Sequence, residues 1–193
     1  MSPPVFYYDT NSPYAYLAAA RIDEVLPDAE WHPIALGIVL RELGRVPWSL
    51  GPERAEGMVE IERRAVECGL PPVRWAEGWP VDTYSLAPLR ALEFADEQDA
   101  QRELARALYR HMFEHGASLA EVDNVLRAAG EAGLDPEEVR TALGDDRIKE
   151  RLREHTDAAL ALGVIGVPTV VVNGAVFWGD DRLEDAAAAA GPS

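Results

Sequence analysis

Cysteine is almost missing from this chain, with Cys68 the single example among 193 residues. One thiol cannot close an intramolecular disulfide, which excludes both a disulfide-stapled scaffold and a self-contained dithiol centre. Cys68 lies in a helical stretch, Arg63-Arg64-Ala65-Val66-Glu67-Cys68, where a half-buried small side chain is the expected role. Basic side chains are also scarce: 18 Lys and Arg stand against 34 Asp and Glu, a net charge of -16. That balance repels a phosphate backbone and an anionic membrane surface, and no basic cluster offsets it, so no nucleic-acid or membrane partner is expected. No apolar run approaches membrane-spanning length, and Met1-Ser2-Pro3-Pro4 lacks the pattern of a signal peptide. The expected location is the cytoplasm. There is no glycine-rich phosphate loop and no Gly-x-Ser-x-Gly elbow. His111 and His115 share one helical face but lack a third ligand, which predicts a surface pair and no metal.

What is present is a hydrophobic fraction of 48%, enough for one good core with an elaboration. Val5 to Tyr8 is a short aromatic run suited to a buried strand. Tyr14 to Leu26 carries apolar residues at helical spacing, and Glu30 to Ala35 reads as a second strand, giving a β-α-β unit. From about Leu36 to Arg153 the pattern is almost wholly helical, with segments predicted over Glu53 to Cys68, Ser85 to Glu97, Gln98 to His115, Ser118 to Ala129 and Asp135 to Leu143. Ser118 with Glu121 spells a capping box, and Asp135-Pro136 a cap followed by proline at the first helical position. Glu150 to Leu162 is amphipathic. Thr169 to Val172 and Ala175 to Trp178 flank Asn173-Gly174, a strong hairpin signal, and Asp181 to Ala190 closes as an alanine-rich helix. The element order predicts an α/β, thioredoxin-like fold with an inserted all-helical domain: residues 1–37 plus 150–193 form the discontinuous thioredoxin-like part, and 38–149 the helical insertion.

Three segments stand out on this frame: Phe6-Tyr7-Tyr8-Asp9-Thr10-Asn11-Ser12-Pro13-Tyr14-Ala15-Tyr16-Leu17, Gly163-Val164-Ile165-Gly166-Val167-Pro168-Thr169, and Phe177-Trp178-Gly179-Asp180-Asp181-Arg182-Leu183. Together, in this order around a helical insert, they resemble the DsbA-like branch of the thioredoxin superfamily, and within it the 2-hydroxychromene-2-carboxylate isomerases and kappa-class glutathione transferases. The resemblance places Ser-Pro-Tyr-Ala where disulfide enzymes of this superfamily carry Cys-Pro-x-Cys. The site is kept without its cysteines, which points to an enzyme that borrows a thiol.

Residue by residue, Ser12 is on local grounds an N-cap ahead of Pro13. The resemblance adds a catalytic role, in which the Ser12 hydroxyl at a helix N-terminus hydrogen-bonds the glutathione sulfur and favours its thiolate. For Val167-Pro168 the local sequence allows a trans turn, whereas the resemblance implies a cis bond that leaves the Val167 backbone as a free strand edge for the peptide of glutathione. Asp181 and Arg182 read either as helix caps or, by resemblance, as the residues holding the γ-glutamyl end. Asp180 stands where the family often has a small residue, and Arg45 is the candidate for the position of the family's loop asparagine. Tyr14, Trp48, Tyr84 and Trp178, with Trp75 and Trp79, suggest an aromatic-lined substrate pocket. The implied activity is a glutathione-dependent isomerase of the 2-hydroxychromene-2-carboxylate type, acting by thiolate conjugate addition, ring opening and cis/trans isomerisation. The cofactor is glutathione or another low-molecular-weight thiol. The partners are a small aromatic substrate and, in a homodimer, a second copy of the chain. Alternatives are a kappa-like glutathione transferase and a non-catalytic domain that binds a thiol or peptide.

Overall fold

The computed structural model describes residues 2–191. Four short strands form one mixed sheet in the order β2-β1-β3-β4, with β1 Val5–Tyr8, β2 Glu30–Pro33, β3 Thr169–Val172 and β4 Ala175–Trp178. β1 runs parallel to β2, with Phe6 beside Trp31, and antiparallel to β3, which pairs in turn with β4 through the Asn173-Gly174 hairpin. Both turn residues have positive φ, 50° and 81°, as the twist of a two-residue hairpin requires. Phe6 and Tyr8 share a face because strand side chains alternate, and their rings stack at 5.3 Å with Trp31 edge-on to both.

Between the first strand pair and the hairpin the chain is helical, as the periodicity predicts. α1 Pro13–Ala19 and α2 Ile22–Val25 connect β1 to β2. Then follow α3 Leu36–Glu42, α4 Arg54–Glu67, α5 Ala87–Asp96, α6 Gln101–Tyr109, α7 Val122–Glu131, α8 Pro136–Ala142 and α9 Asp146–Ala161, with α10 Leu183–Ala190 after the hairpin. The helical stretch joins the sheet through aromatic packing: Tyr109 of α6 lies 6.5 Å from Tyr8 and 5.8 Å from Tyr16, and Phe113 stacks on Tyr16 at 5.3 Å. Tyr8, Tyr109 and Phe113 are fully buried, and side chains of this size bury roughly 150–250 Å² each, so this cluster carries a large share of the core. None of the described helices is long and apolar enough to cross a membrane.

Several expectations are corrected in detail. The helix predicted over Tyr14 to Leu26 breaks at Arg21, whose N–H turns to Ala18 O, an i→i−3 bond that tightens and ends α1. The Ser118–Glu121 capping box does not form. Ser118 Oγ accepts from Ala120 N–H in a turn ahead of α7, while Glu121 itself occupies the N-cap position without a side-chain cap. Asp135 does cap α8, accepting from Glu137 and Glu138 N–H ahead of Pro136. α9 starts four residues before Glu150 because Asp145 accepts from Arg147 N–H and caps it there. His111 is buried rather than a surface residue, with its Nε2 2.8 Å from Glu131 Oε1. Further differences are α3, the π turn Arg110–Glu114 that ends the helix expected over Gln98 to His115, and the irregular stretch before α5 with its cis Trp79-Pro80 bond.

Candidate active site

The N-terminal turn of α1 faces the loop before β3 across the mouth of a cleft of about 930 Å³. Its walls come from four places in the chain: residues 11–14, residues 165–168, residues 178–181, and a set of side chains from the helical stretch that includes Trp48, Arg64, Trp79 and Tyr84. Cys68 is not among the lining residues.

Ser12 caps α1 as its sequence implies. Its Oγ accepts from Ala15 N–H at 3.3 Å, with Pro13 in the first helical position. The hydroxyl proton has one acceptor among the described residues, Val167 O at 3.5 Å, the far limit for such a bond. Capping therefore uses a lone pair and leaves the O–H nearly free to donate to a ligand. The macrodipole argument carries less weight, because α1 has only seven residues. Opposite Ser12 the Val167-Pro168 bond is cis, which settles the local ambiguity at this position. Among the described residues Val167 N–H has no hydrogen-bond partner and Val167 O meets only Ser12 Oγ, while the flanking groups are engaged: Gly166 O accepts from Thr169 Oγ1 at 2.7 Å and Pro168 O from Gly179 N–H at 2.9 Å. The backbone of Val167 is thus left open beside the cleft it lines.

Behind this turn lies Asp9, buried to 1% exposure at the end of β1. Its Oδ1 accepts from Asn11 N–H and its Oδ2 from Leu36 N–H, each at 2.9 Å, and the Tyr84 hydroxyl, which accepts from Gly37 N–H at 3.1 Å, lies close to the same carboxylate. Burial raises its pKa from 3.8 to about 6 despite these contacts. Asn11 extends the brace: its Oδ1 accepts from Thr83 Oγ1 at 2.9 Å, its Nδ2 donates to Pro80 O at 3.0 Å, and its carbonyl accepts from Trp79 Nε1 at 3.3 Å. Nothing local in the sequence marks Asp9 or Asn11 as a brace, since strand-end polarity alone does not reveal a partner 27 or 69 residues away.

Of the residues singled out from sequence, Ser12, Tyr14, Arg45, Trp48, Tyr84, Val167, Pro168, Trp178 and Asp181 all line the cleft. Trp48 lies 5.9 Å from Tyr14, edge-on, and 5.8 Å from Trp79. Arg45 donates to Ile165 O at 2.7 Å and sits 5.1 Å over the Trp178 ring. Trp75 lies outside the lining, and so does Arg182. Its Nε donates to Asp185 Oδ2 at 2.6 Å and its guanidinium lies over Phe177, so local partners one turn along hold it outside the lining. Arg64 of α4, to which sequence gave no role, lines the cleft instead. It lies over the Tyr14 ring and pairs with Asp180, which is 1% exposed. The added charge of Asp180 is therefore neutralised within the wall.

Two outcomes follow from this geometry. Folding raises the Asp9 pKa, so the native state keeps a proton that the unfolded chain releases. Asp9 should then lower native stability progressively as pH rises from about 4 through 6, by about 3 kcal/mol in all. Urea unfolding of wild type and Asp9→Asn across pH 4–7 should show this component in the wild type alone, and parallel curves would disprove it. The second concerns Gly57, inside α4, where a Cβ would overlap the Trp48 ring. Alanine in a helix interior ordinarily stabilises by about 1 kcal/mol over glycine. Gly57→Ala should fail to stabilise this protein yet gain that amount in a Trp48→Ala background, and equal effects in both backgrounds would show that the ring is not seated on Gly57.

With the cleft in view, the relatives become informative. A 2-hydroxychromene-2-carboxylate isomerase from Pseudomonas putida is 27% identical over 188 residues, covering 92% of this chain and 89% of the relative. Glutathione S-transferase kappa 1 of Rattus norvegicus is 23% identical over 92% of this chain and 86% of its own length. Among solved structures, a 2-hydroxychromene-2-carboxylate isomerase superposes with a TM-score of 0.85 at 22% identity, over 98% of this chain and 95% of that one. A probable DsbA oxidoreductase from Streptomyces coelicolor gives 0.78 at 23% identity, over 97% and 89%. The same frame thus occurs in proteins named for isomerase, transferase and disulfide chemistry. Residues 5–190 match the DSBA-like thioredoxin domain across sheet, helical stretch and cleft alike, and the chain belongs to that family.

Proposed function

We propose that this protein is a glutathione-dependent isomerase of the 2-hydroxychromene-2-carboxylate type. The observation that carries the reading is the pairing of a lightly engaged Ser12 hydroxyl with the open backbone of Val167 in a cleft that contains no cysteine. The residues fit a thiol peptide: Val167 N–H and C=O offer one rung of strand pairing, and Ser12 Oγ–H offers a donor where a sulfur would lie. When bound, the thiol supplies a nucleophile that adds reversibly to a conjugated ring system and leaves again once the bond has rotated, so it is returned unchanged.

The chain's own contribution is donation and orientation. A serine hydroxyl does not ionise at neutral pH, so Ser12 acts as donor to an anionic sulfur and not as a nucleophile. Asp9 and Asn11 fix the turn that carries it, and the aromatic walls give a flat, apolar surface for an aromatic substrate while excluding water. Arg45 gives a cation at the Ile165 side of the Val167 edge for a carboxylate. A kappa-like transferase is the second reading, supported by the rat relative, and it differs in keeping the thiol adduct as product.

Ser12→Ala separates capping from chemistry. Loss of the cap should cost about 1 kcal/mol of stability, whereas removal of the donor to an anion should lower turnover by about 10²- to 10³-fold. Undiminished turnover with a lowered melting temperature would leave Ser12 as a cap only. Thiol identity is read from thermal shifts with glutathione, S-methylglutathione, cysteine and other small thiols. Glutathione at a hundred times its Kd should stabilise by about 2.7 kcal/mol, with S-methylglutathione binding more weakly. Full recovery of free thiol after turnover of the hydroxychromene substrate supports the isomerase, net consumption supports the transferase, and no shift with any thiol removes both.

A further inference from the structure

The chain leaving β2 delivers Leu36 to Asp9, and α9 grips it just before that point in two places. The His32 ring of β2 lies flat against the His155 ring of α9, with centroids 4.4 Å apart and planes 10° from parallel. Three residues along, Ala35 N–H donates to Thr156 Oγ1 at 3.1 Å, and Thr156 is fully buried. The Thr156 hydroxyl donates in turn to Leu152 O at 2.8 Å, so its proton stays within α9 and a lone pair remains for Ala35. The next N–H, that of Leu36, is the donor to Asp9 Oδ2. Neither His155 nor Thr156 is among the lining residues of the cleft, yet the segment they hold runs directly into Leu36, Gly37 and Leu40, which are.

The grip is itself anchored on α5. His155 Nδ1 lies 2.7 Å from Oε1 of Glu93, a fully buried carboxylate whose Oε2 is 3.0 Å from Arg151 Nε. An ionised carboxylate only accepts, so Nδ1 carries the proton and Glu93 orients the ring. Arg151 pairs further with Asp96 and Glu97. His32 meets the edge of Tyr7 at 5.7 Å, and its Nε2 is 3.7 Å from Glu30 Oε2. On its outer side it shares a groove with Asp28, Asp96, Asp99, Arg102 and Glu103. Burial above all, then the facing His155 ring, pushes the His32 pKa down to about 4; Asp96 opposes this and Arg151 adds to it. At neutral pH an uncharged ring therefore rests on His155. We infer that His155 and Thr156 are positioning residues for the cleft, holding the strand exit that presents Leu36 to Asp9, and that acid loosens this hold by placing a charge on His32 against the His155 ring. The inference does not depend on which thiol or substrate the cleft takes. Its sign follows from the lowered pKa: the loosened segment takes up a proton that the held one refuses, so the hold is complete above about pH 6.5 and weakens as pH falls toward 4. Asp9, with a raised pKa, acts in the opposite direction and cannot imitate this loss.

Amide hydrogen exchange on the full chain, corrected for intrinsic rates, reads the hold at the residue that braces Asp9. Protection of Ala35 and Leu36 should fall by about 10- to 100-fold between about pH 6.5 and 4.5, while Val170 and Val171 in β3 change by less than about threefold. His32→Phe keeps a flat ring on His155 that takes no proton, and should retain the neutral-pH protection and abolish the fall. Thr156→Val removes the acceptor for Ala35 N–H and should lower protection at both amides by about tenfold at neutral pH. An equal fall in His32→Phe, or a fall shared by β3, overturns the proton-sensitive hold, and unaltered protection in Thr156→Val overturns the positioning role of α9. Should His32→Phe not fold, titration of the wild-type His32 ring by NMR decides. A midpoint near 4 supports the hold, and one near the ordinary value of about 6.5 overturns it.

Discussion

A buried carboxylate at the end of β1 is the constraint on which the cleft depends. Asp9 cannot be solvated where it sits, and burial works against its charge strongly enough to move its pKa to about 6. It is held by donors that border the cleft, Asn11 N–H beneath the α1 turn and Leu36 N–H at the start of α3, with the Tyr84 hydroxyl from the loop before α5 close by. Each donor would otherwise be an unpaired polar group near an apolar wall, so carboxylate and walls stabilise one another. Tyr109 adds a tie from α6 to the same residue, its hydroxyl donating to Asp9 O at 3.2 Å. A destabilising charge is retained because it fixes the geometry of three chain segments that share no sequence proximity.

That brace explains how a cap can also be a donor. Ser12 uses a lone pair for Ala15 N–H, and its proton faces Val167 across a gap of 3.5 Å from Oγ to carbonyl oxygen. The gap is set by two rigid parts, the braced turn and the cis-proline loop, whose own flanking groups are tied to Thr169 and Gly179. Ser12 and Ala15 carry no thiol, so neither position can carry out redox exchange, and what the turn offers is a hydroxyl beside an open backbone.

Sequence was most informative where local rules decide the outcome. Asn173-Gly174 fixes the hairpin, Asp135-Pro136 fixes the start of α8, and the aromatic alternation of Phe6, Tyr7 and Tyr8 fixes β1. It was weakest where the deciding partner lies far along the chain. Ser118 has the spelling of a capping box, yet its hydroxyl serves Ala120, one residue short of Glu121. His111 reads as surface by spacing, but Glu131 on α7 draws it into a buried contact. The cis Val167-Pro168 bond was legible only through family resemblance, because nothing in Gly-Val-Pro-Thr itself demands it. Arg64 left no signal at all, since helical periodicity marks which face is apolar and not which polar side chain meets a carboxylate 116 residues later.

The treatment of charge in the cleft wall follows the same logic. Asp180 is a buried carboxylate in the cleft wall, and its charge would be costly if left alone. Here it is buried and paired to Arg64 from the other wall, so the wall gains a guanidinium together with the carboxylate and its net charge does not change. The pair also spans α4 and the turn before α10, which means that the cation's position is set by both sides of the cleft at once. In a protein of net charge -16, the pair leaves guanidinium N–H groups unused in the cleft wall without adding to the local negative charge. The residue that looks least at home in the sequence is thus, in the structure, one half of a tie between the two sides of the cleft.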